Sequence, residues 1–317
     1  MGPQVNPDLS VCILSWNTRE LLRDCLASIF ADGQSGAWQV VVVDNASTDG
    51  SAAMVEKCFP RAEVVVTEQN LGFSRGNNLG LARAQGRYWL LLNSDTRVET
   101  GALGGLVEFM DGSPEAGVVG PKLLNGDGSL QLSCGVGPNL KTEIANKFLL
   151  HKFFPFFKLG RWDHSEIRVV DWVSGACLLV RREAAEAVGL LDPEIYMFHE
   201  DLEWCTRMRK GGWKTVYFPF SRVYHIGGQS TRKNFAEMLV VSQRSQFYFF
   251  HKHFSRAHLW GLRLLTVVET VLRSAIWSVV FLLFATQRQE SRQRLQAYRT
   301  ILYKTLRQRS YWAPAKA

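Results

Sequence analysis

The sequence lacks an uninterrupted apolar run long enough to cross a bilayer. The charge-free part of its apolar C-terminal region, Ser274–Ala285, has 12 residues, whereas a helical span needs ~20. Its six cysteines (Cys12, Cys25, Cys58, Cys134, Cys177 and Cys205) include no C-x-x-C pair. Several sit inside apolar runs, so buried thiols in a reducing compartment are expected rather than disulfides or zinc. Low-complexity segments and internal repeats are missing, which sets aside solenoids and arrays. The stretch Met1–Leu9 is short and polar, without the basic start and apolar core of a secretory signal. A cytoplasmic catalytic body is the expectation.

What is present suits a folded enzyme. The 317 residues, 46% of them hydrophobic, can bury a full core and are many for one ordinary domain. The net charge of +8 is unevenly placed: from Arg256 onward there are 11 basic residues against Glu269 and Glu290. The remainder carries 26 basic and 27 acidic residues and is close to neutral. A basic segment beside an apolar one points to an anionic membrane surface and away from nucleic acid.

The first third alternates strand and helix signals. Leu9–Ser15, Gln39–Val43, Glu63–Thr67 and Arg87–Leu92 read as strands, and Thr18–Phe30, Met54–Cys58 and Ser74–Ala84 as helices. Continuous Val/Leu runs suit strands covered on both faces. Repeated β-α-β units imply parallel strands with ligands beyond their carboxyl ends, where Asp44-Asn45, Asn70 and Asn93-Ser94-Asp95 fall. Further on, Ala116–Leu124, Val169–Trp172, Ala176–Arg181 and Thr215–Phe218 read as strands, the last closed by Pro219. Leu202–Lys210 reads as a helix stopped by Gly211-Gly212.

Two domains are expected: residues 1–235 as a catalytic α/β body and 236–317 as a helical, basic, membrane-associating region. In the latter, Arg263, Thr266, Thr270, Arg273 and Ser278 share one helical stripe, with apolar residues over the rest. An Arg at mid-membrane costs roughly 2.5–3.5 kcal/mol, so shallow, in-plane insertion is favoured over a true span. The segment from Lys147 to Lys158 mixes aromatics with lysines, and reads either as a loop meeting lipid or acceptor or as a helix packed on the core.

Chemistry concentrates at His199-Glu200-Asp201, which precedes the Leu202–Lys210 helix, Gly211-Gly212-Trp213 and then His225. Carboxylates at a helix start are favoured by free N–H groups and the dipole, but Asp95, ending the apolar run from Trp89, supplies a second acidic site. Two acidic sites and a later histidine make a metal-plus-base constellation.

These segments resemble the family 2 glycosyltransferases, inverting enzymes with a GT-A fold. The resemblance covers residues 9–232 and rests on six pieces in order: Ile13-Leu14-Ser15-Trp16-Asn17, Val43 to Ser51, Gln69 to Asn78, Asn93-Ser94-Asp95, Trp172 to Ala176, and His199-Glu200-Asp201 through His225. It is greatest to the rhamnosyltransferase-like branch that builds bacterial surface polysaccharides. The fold it implies is a Rossmann-like mixed sheet flanked by helices.

By that resemblance, Asn17, Asp44, Asn70, Arg75, Asn93, Ser94 and Asp95 line the nucleotide-sugar pocket. An aspartate there can accept from a pyrimidine N–H or a ribose hydroxyl. For Asn17 and Asn70 a turn-forming role is equally open. Asp95 corresponds to the final acid of the family's D-x-D element and implies a divalent cation, Mg or Mn; His225 matches a histidine that helps hold the metal or diphosphate, and would otherwise be a loop residue. Asn93 replaces the first acid, which lowers the local negative charge.

Asp201 matches the catalytic base, with Glu200 orienting the acceptor or capping the helix. Trp172, Ser174 and Gly175 match the acceptor side, although Trp172 fits a core position equally, and His199 is either structural or acceptor-facing. The resemblance implies transfer of one sugar from a nucleoside-diphosphate donor, with dTDP-rhamnose suggested by the branch, to a lipid-linked or growing glycan. The implied location is the cytoplasmic face of the membrane, peripheral or monotopic. A donor such as a UDP-hexose or UDP-galactofuranose is the nearest alternative, and an inactive membrane-attached sugar-binding protein a further one. The Q-x-x-R-W motif of processive relatives and the glycine-rich phosphate loop of nucleotidyltransferases are not found.

Overall fold

The structure is a computed structural model and describes residues 7–32, 38–147, 162–227 and 234–307. The aromatic and lysine-rich stretch after Lys147 lies outside them. The described elements begin with β1 (Leu9–Ser15), α1 (Arg19–Phe30), β2 (Gln39–Asp44), α2 (Ser51–Cys58), β3 (Ala62–Val66), α3 (Gly72–Leu81) and β4 (Tyr88–Asn93). Then come β5 (Thr96–Val98), α4 (Ala102–Asp111), β6 (Ala116–Leu124), β7 (Leu130–Gln131), β8 (Cys134–Gly135), α5 (Leu140–Lys147), β9 (Arg168–Val169) and β10 (Trp172–Val173). β11 (Cys177–Arg181), α6 (Arg182–Val188), α7 (Glu200–Lys210) and β12 (Lys214–His225) follow, and after them α8 (Phe235–His253), α9 (Arg256–Leu283) and α10 (Arg288–Arg307).

The chain packs as two units, the first formed by described residues 7–32, 38–137, 162–193 and 200–227. Its sheet has the order β3-β2-β1-β4-β11-β6-β12-β5, with β7 on β6 and β9 on β12. The four strands of the opening β-α-β units are parallel. β11 then enters antiparallel to both β4 and β6, which makes the sheet mixed. Both faces are covered, as the continuous apolar runs require. Leu9, Val11 and Ile13 of β1 face Leu22, Leu26, Met54 and Leu106 on one side, while Cys12 faces Leu81, Trp204 and Met208 on the other. Five of the six thiols are buried and all six are free.

β12 does not end at Pro219. It continues to His225 through a register shift between Phe218 and Arg222. Proline has no N–H to give a ladder, and an irregularity in pairing is where a strand tolerates one. The extension brings His225 opposite Thr96 of β5. The run Val169–Trp172 likewise divides: Val169 pairs with β12, and Trp172 with β8 in a separate two-stranded sheet.

The second unit comprises described residues 138–147, 194–199 and 234–307. α9 has 28 residues, about 42 Å at 1.5 Å per residue, and is long and apolar enough to cross a membrane by length and composition. Its polar stripe points inward: Arg263 is 8% exposed, Thr266 0% and Thr270 3%. Its apolar stripe points outward, with Leu264 67% exposed, Ile276 60% and Leu282 71%. The inward groups have partners. Arg263 donates to the Thr305 carbonyl, and Glu269 pairs with Lys147 at 2.7 Å and Arg273 at 2.9 Å. α10 runs antiparallel along α9, with Arg294 over Trp277 and Arg288 and Arg292 over Phe281.

Candidate active site

The carboxyl ends of β1, β2 and β4 carry the polar loops of the first unit. At the end of β2, Asp44 is buried; its Oδ1 accepts the Ser47 N–H at 2.7 Å, and its Oδ2 has no protein partner. A buried carboxylate oxygen without a donor is costly, and a ligand N–H or hydroxyl would satisfy it. Asn17 takes a left-handed backbone (φ 52°) and its Oδ1 accepts the Thr48 N–H at 2.8 Å, while Ser47 Oγ accepts the Asn17 N–H at 2.9 Å. Asn70 Oδ1 accepts from Gly72 N at 2.9 Å and from Asn45 Nδ2 at 3.0 Å. Both asparagines therefore brace the loops. Asn45, beside Asp44 at the end of β2, ties them together, since its Oδ1 accepts the Leu71 N–H at 2.8 Å. Arg75, exposed on α3, donates from Nε to the Pro193 carbonyl at 2.9 Å.

At the end of β4, Ser94 Oγ lies 2.8 Å from Thr18 Oγ1. Asp95 sits on the turn into β5, and the antiparallel β5–β12 pairing sets His225 beside it, with His225 Nε2 3.3 Å from Asp95 Oδ1. Asn93 Nδ2 lies 3.2 Å from the same Nε2, and His225 Nδ1 is 2.7 Å from Gln131 Oε1. Among the described residues no cluster of three or more His, Cys, Asp or Glu side chains forms a metal cage. A hard cation that shares its shell with phosphate and water needs only one or two protein ligands. An oxygen and a ring nitrogen at this spacing fit that requirement, so Asp95 and His225 are able to hold one.

β11 links this edge to the helix acids. The Asn93 N–H donates to the Ala176 carbonyl at 3.0 Å, and the Gly175 N–H donates to Asp201 Oδ2 at 3.0 Å. Asp201 Oδ1 also accepts the Leu202 N–H at 2.7 Å. α7 begins at Glu200, so both acids lie in its first turn, with Arg207, Arg209 and Lys210 in the last, in accord with the helix dipole. The helix is pinned beneath by buried Glu203, which pairs with Arg207 at 2.9 Å, and by Trp204 Nε1 donating to the Gly189 carbonyl at 2.8 Å.

Burial pushes the Asp201 carboxyl above the usual range, against the two N–H groups that favour its charge. Glu200 is driven well above its usual value by burial and by the Asp201 charge, and its Oε2 has no protein partner. The first unit thus holds a carboxylate fit for proton acceptance beside a carboxyl fit to keep its proton. Ser174 donates its N–H to the Ser133 carbonyl at 2.7 Å, and half-buried Trp172 lies over Gly135. His199 belongs to the second unit. Its backbone is left-handed (φ 68°), and burial with nearby Lys147 lowers its pKa to about 4, so the ring is neutral.

The description "Glycosyl transferase family 2" matches residues 10–189 of the sequence. The chain belongs to this family. As a family 2 glycosyltransferase it is 31% identical over 245 residues to an N-acetylglucosaminyl-diphospho-decaprenol L-rhamnosyltransferase of Mycobacterium tuberculosis, a match covering 71% of this chain and 79% of the relative. It is 25% identical over 208 residues to a low-salt glycan biosynthesis hexosyltransferase of Haloferax volcanii, covering 64% of this chain and 62% of the relative. Its fold is shared by a mannosyltransferase of Pyrobaculum calidifontis solved with GDP-Man and Mn2+, at TM-score 0.59 and 18% identity, over 97% of this chain and 89% of that one.

Proposed function

We propose that this glycosyltransferase moves a single sugar from a nucleoside diphosphate to a lipid-linked or growing surface glycan, inverting the anomeric centre, with Asp201 as base. The observation that carries the reading is the tie from Asn93 through Ala176 and Gly175 to Asp201, which couples the Asn93-Ser94-Asp95 strand end to a carboxylate held by two N–H groups.

In the reaction, Asp201 takes the proton of an acceptor hydroxyl as that oxygen attacks the anomeric carbon from the face opposite the diphosphate. The sugar–diphosphate bond breaks and the proton stays on Asp201. Asp44 receives the base or ribose through its unpartnered Oδ2, while Asn17, Asn70 and Arg75 shape the same pocket. Asp95 and His225 would hold a divalent cation, Mg or Mn, with Asn93 and Ser94 lining the same pocket. When bound, that ion offsets charge on the leaving diphosphate. Trp172, Ser174 and Gly175 form the acceptor side, where Glu200 orients the hydroxyl. The rhamnosyltransferase relative supports rhamnose as the transferred sugar and a polyprenyl-diphosphate sugar as acceptor; dTDP-rhamnose is the donor that the resemblance suggests.

The second unit supports work at a membrane surface. α10 carries six basic residues and one acid and lies alongside α9, so a crossing α9 would carry those charges into the bilayer, at roughly 2.5 kcal/mol or more each. In-plane insertion of the outward stripe, with arginines at the headgroups, avoids that cost.

The test is incubation with a panel of nucleotide sugars and a short polyprenyl-diphosphate-linked acceptor, with the product linkage read by NMR. Transfer from one donor with inversion is expected. A retained configuration, or no transfer from any donor alongside tight nucleotide binding, would overturn the reading.

A further inference from the structure

His225 faces Asp95 through Nε2, so what its ring offers there depends on which nitrogen holds the proton. The opposite edge of the ring meets Gln131, a residue at the end of the β6–β7 hairpin. Gln131 Nε2 donates to Asn125 Oδ1 at 2.9 Å and to the His225 carbonyl at 3.3 Å. Both amide hydrogens are thereby occupied, and Gln131 Oε1 is left to face His225 Nδ1 at 2.7 Å.

The orientation is anchored one step further away. Asn125 Nδ2 donates to Ser129 Oγ at 2.9 Å, and Ser129 Oγ donates to Asp127 Oδ1 at 2.6 Å. The Ser129 hydroxyl and backbone N–H hold the Asp127 carboxyl below the usual range, so it is ionised and only accepts. Read back from Asp127, each group has one permitted role: the Ser129 hydroxyl donates outward, Asn125 gives its NH2 to Ser129 and its oxygen to Gln131, and Gln131 gives its oxygen to the ring. At the far end, Asn93 Nδ2 stands 3.2 Å from His225 Nε2, to which it donates only if that nitrogen is bare.

We propose that the Asp127–Ser129–Asn125–Gln131 chain is a positioning device that keeps the proton of His225 on Nδ1 and presents the Nε2 lone pair beside Asp95. Gln131 is its contact residue, acting through His225 without touching substrate. Partners on the far nitrogen of a metal-binding histidine fix its tautomer and orientation, and here a surface hairpin supplies the partner. The proposal rests on the reading of Asp95 and His225 as cation ligands, but the tautomer can be read with no metal present.

The experiment compares the parent with Gln131→Leu and Gln131→Glu. Ring-nitrogen NMR of 15N-histidine-labelled, metal-free protein, assigned with His225→Gln, gives the tautomer. Calorimetry with Mn2+ in the presence of dTDP or UDP gives the affinity. The parent is expected to show Nδ1–H, and Gln131→Leu a mixture with Mn2+ binding weakened by about 10–100-fold, the usual cost of losing such a partner. Gln131→Glu gives up the bonds to Asn125 and the His225 carbonyl but keeps an acceptor on Nδ1, and should bind Mn2+ within about threefold of the parent, as carboxylate–histidine pairs do at metal sites. Leucine matches the size of glutamine, so a packing role would leave Gln131→Leu normal. An unchanged tautomer with unchanged Mn2+ affinity in Gln131→Leu, or a Gln131→Glu protein as weak as it, overturns the proposal. A parent that shows Nδ1–H but takes up no Mn2+ overturns the ligand reading instead, so the two failures are distinguishable.

Discussion

The backbone N–H of Gly175 donates to Asp201 Oδ2 at 3.0 Å. Gly175, itself on the acceptor side, lies just before β11, so this bond fixes a carboxylate on α7 to the strand edge that carries Asn93 and Asp95. A base held by main chain needs no rotamer search before it meets a hydroxyl.

The rate of transfer should fall as pH falls through the apparent pKa of the Glu200–Asp201 pair. The proposed base acts only when ionised, and burial raises its pKa from the ordinary aspartate value. The acid limb of a kcat profile between pH 4 and 8 should therefore lie above pH 3.9, the ordinary value. A profile flat down to pH 4 would contradict the assignment.

Glu200→Gln should be more stable than the parent at pH 8, with the advantage shrinking towards pH 4. The folded-state pKa of Glu200 is raised, so above the ordinary glutamate value the native protein binds more protons than the unfolded chain. Stability then declines as pH rises through that window. A neutral amide removes the part of the dependence that Glu200 supplies, as paired urea denaturations at several pH values would show.

Replacing Asp95 with alanine should remove Mn2+-enhanced nucleotide binding and lower turnover by about 10²-fold or more, since charge compensation at a leaving group is worth several kcal/mol. Nucleotide binding in EDTA should change little, because Asp44 sits at the end of a different strand. Calorimetry with and without Mn2+ separates the two effects.

Leu264→Glu with Ile276→Glu should abolish binding to vesicles containing anionic lipid while leaving transfer to a short soluble acceptor intact. Both side chains lie on the outward stripe of α9. Neutralising Arg292 and Arg299 should weaken vesicle binding by roughly fivefold per charge, given about 1 kcal/mol for each basic residue near such a surface. Vesicle co-sedimentation at low and high salt reads both.

Much of the fold was legible because apolar runs report burial, and β1, β2, β4 and β6 lie where those runs stand. Pairing is not written in the same way. Nothing local to Cys177–Arg181 says that it enters antiparallel, and nothing around Pro219 says that β12 continues to His225. Those two facts place Ala176 beside Asn93 and His225 beside Asp95. Asp44, Asp95 and Asp201 could be found from their motifs. Gln131 could not, because it acts through a hydrogen bond to a residue 94 positions away. The inward polar stripe of α9 was visible as a stripe, but which side faced the protein depended on α10.

The most direct measurement compares Asp201→Asn with the parent, using calorimetry of nucleotide binding alongside single-turnover transfer. Asparagine keeps the size of the side chain and an oxygen for the Gly175 N–H, but cannot take a proton. The account predicts nucleotide affinity within about threefold of the parent and transfer slower by about 10²–10⁴-fold, the contribution of a positioned base. Transfer within a few-fold of the parent would contradict it and move the base elsewhere.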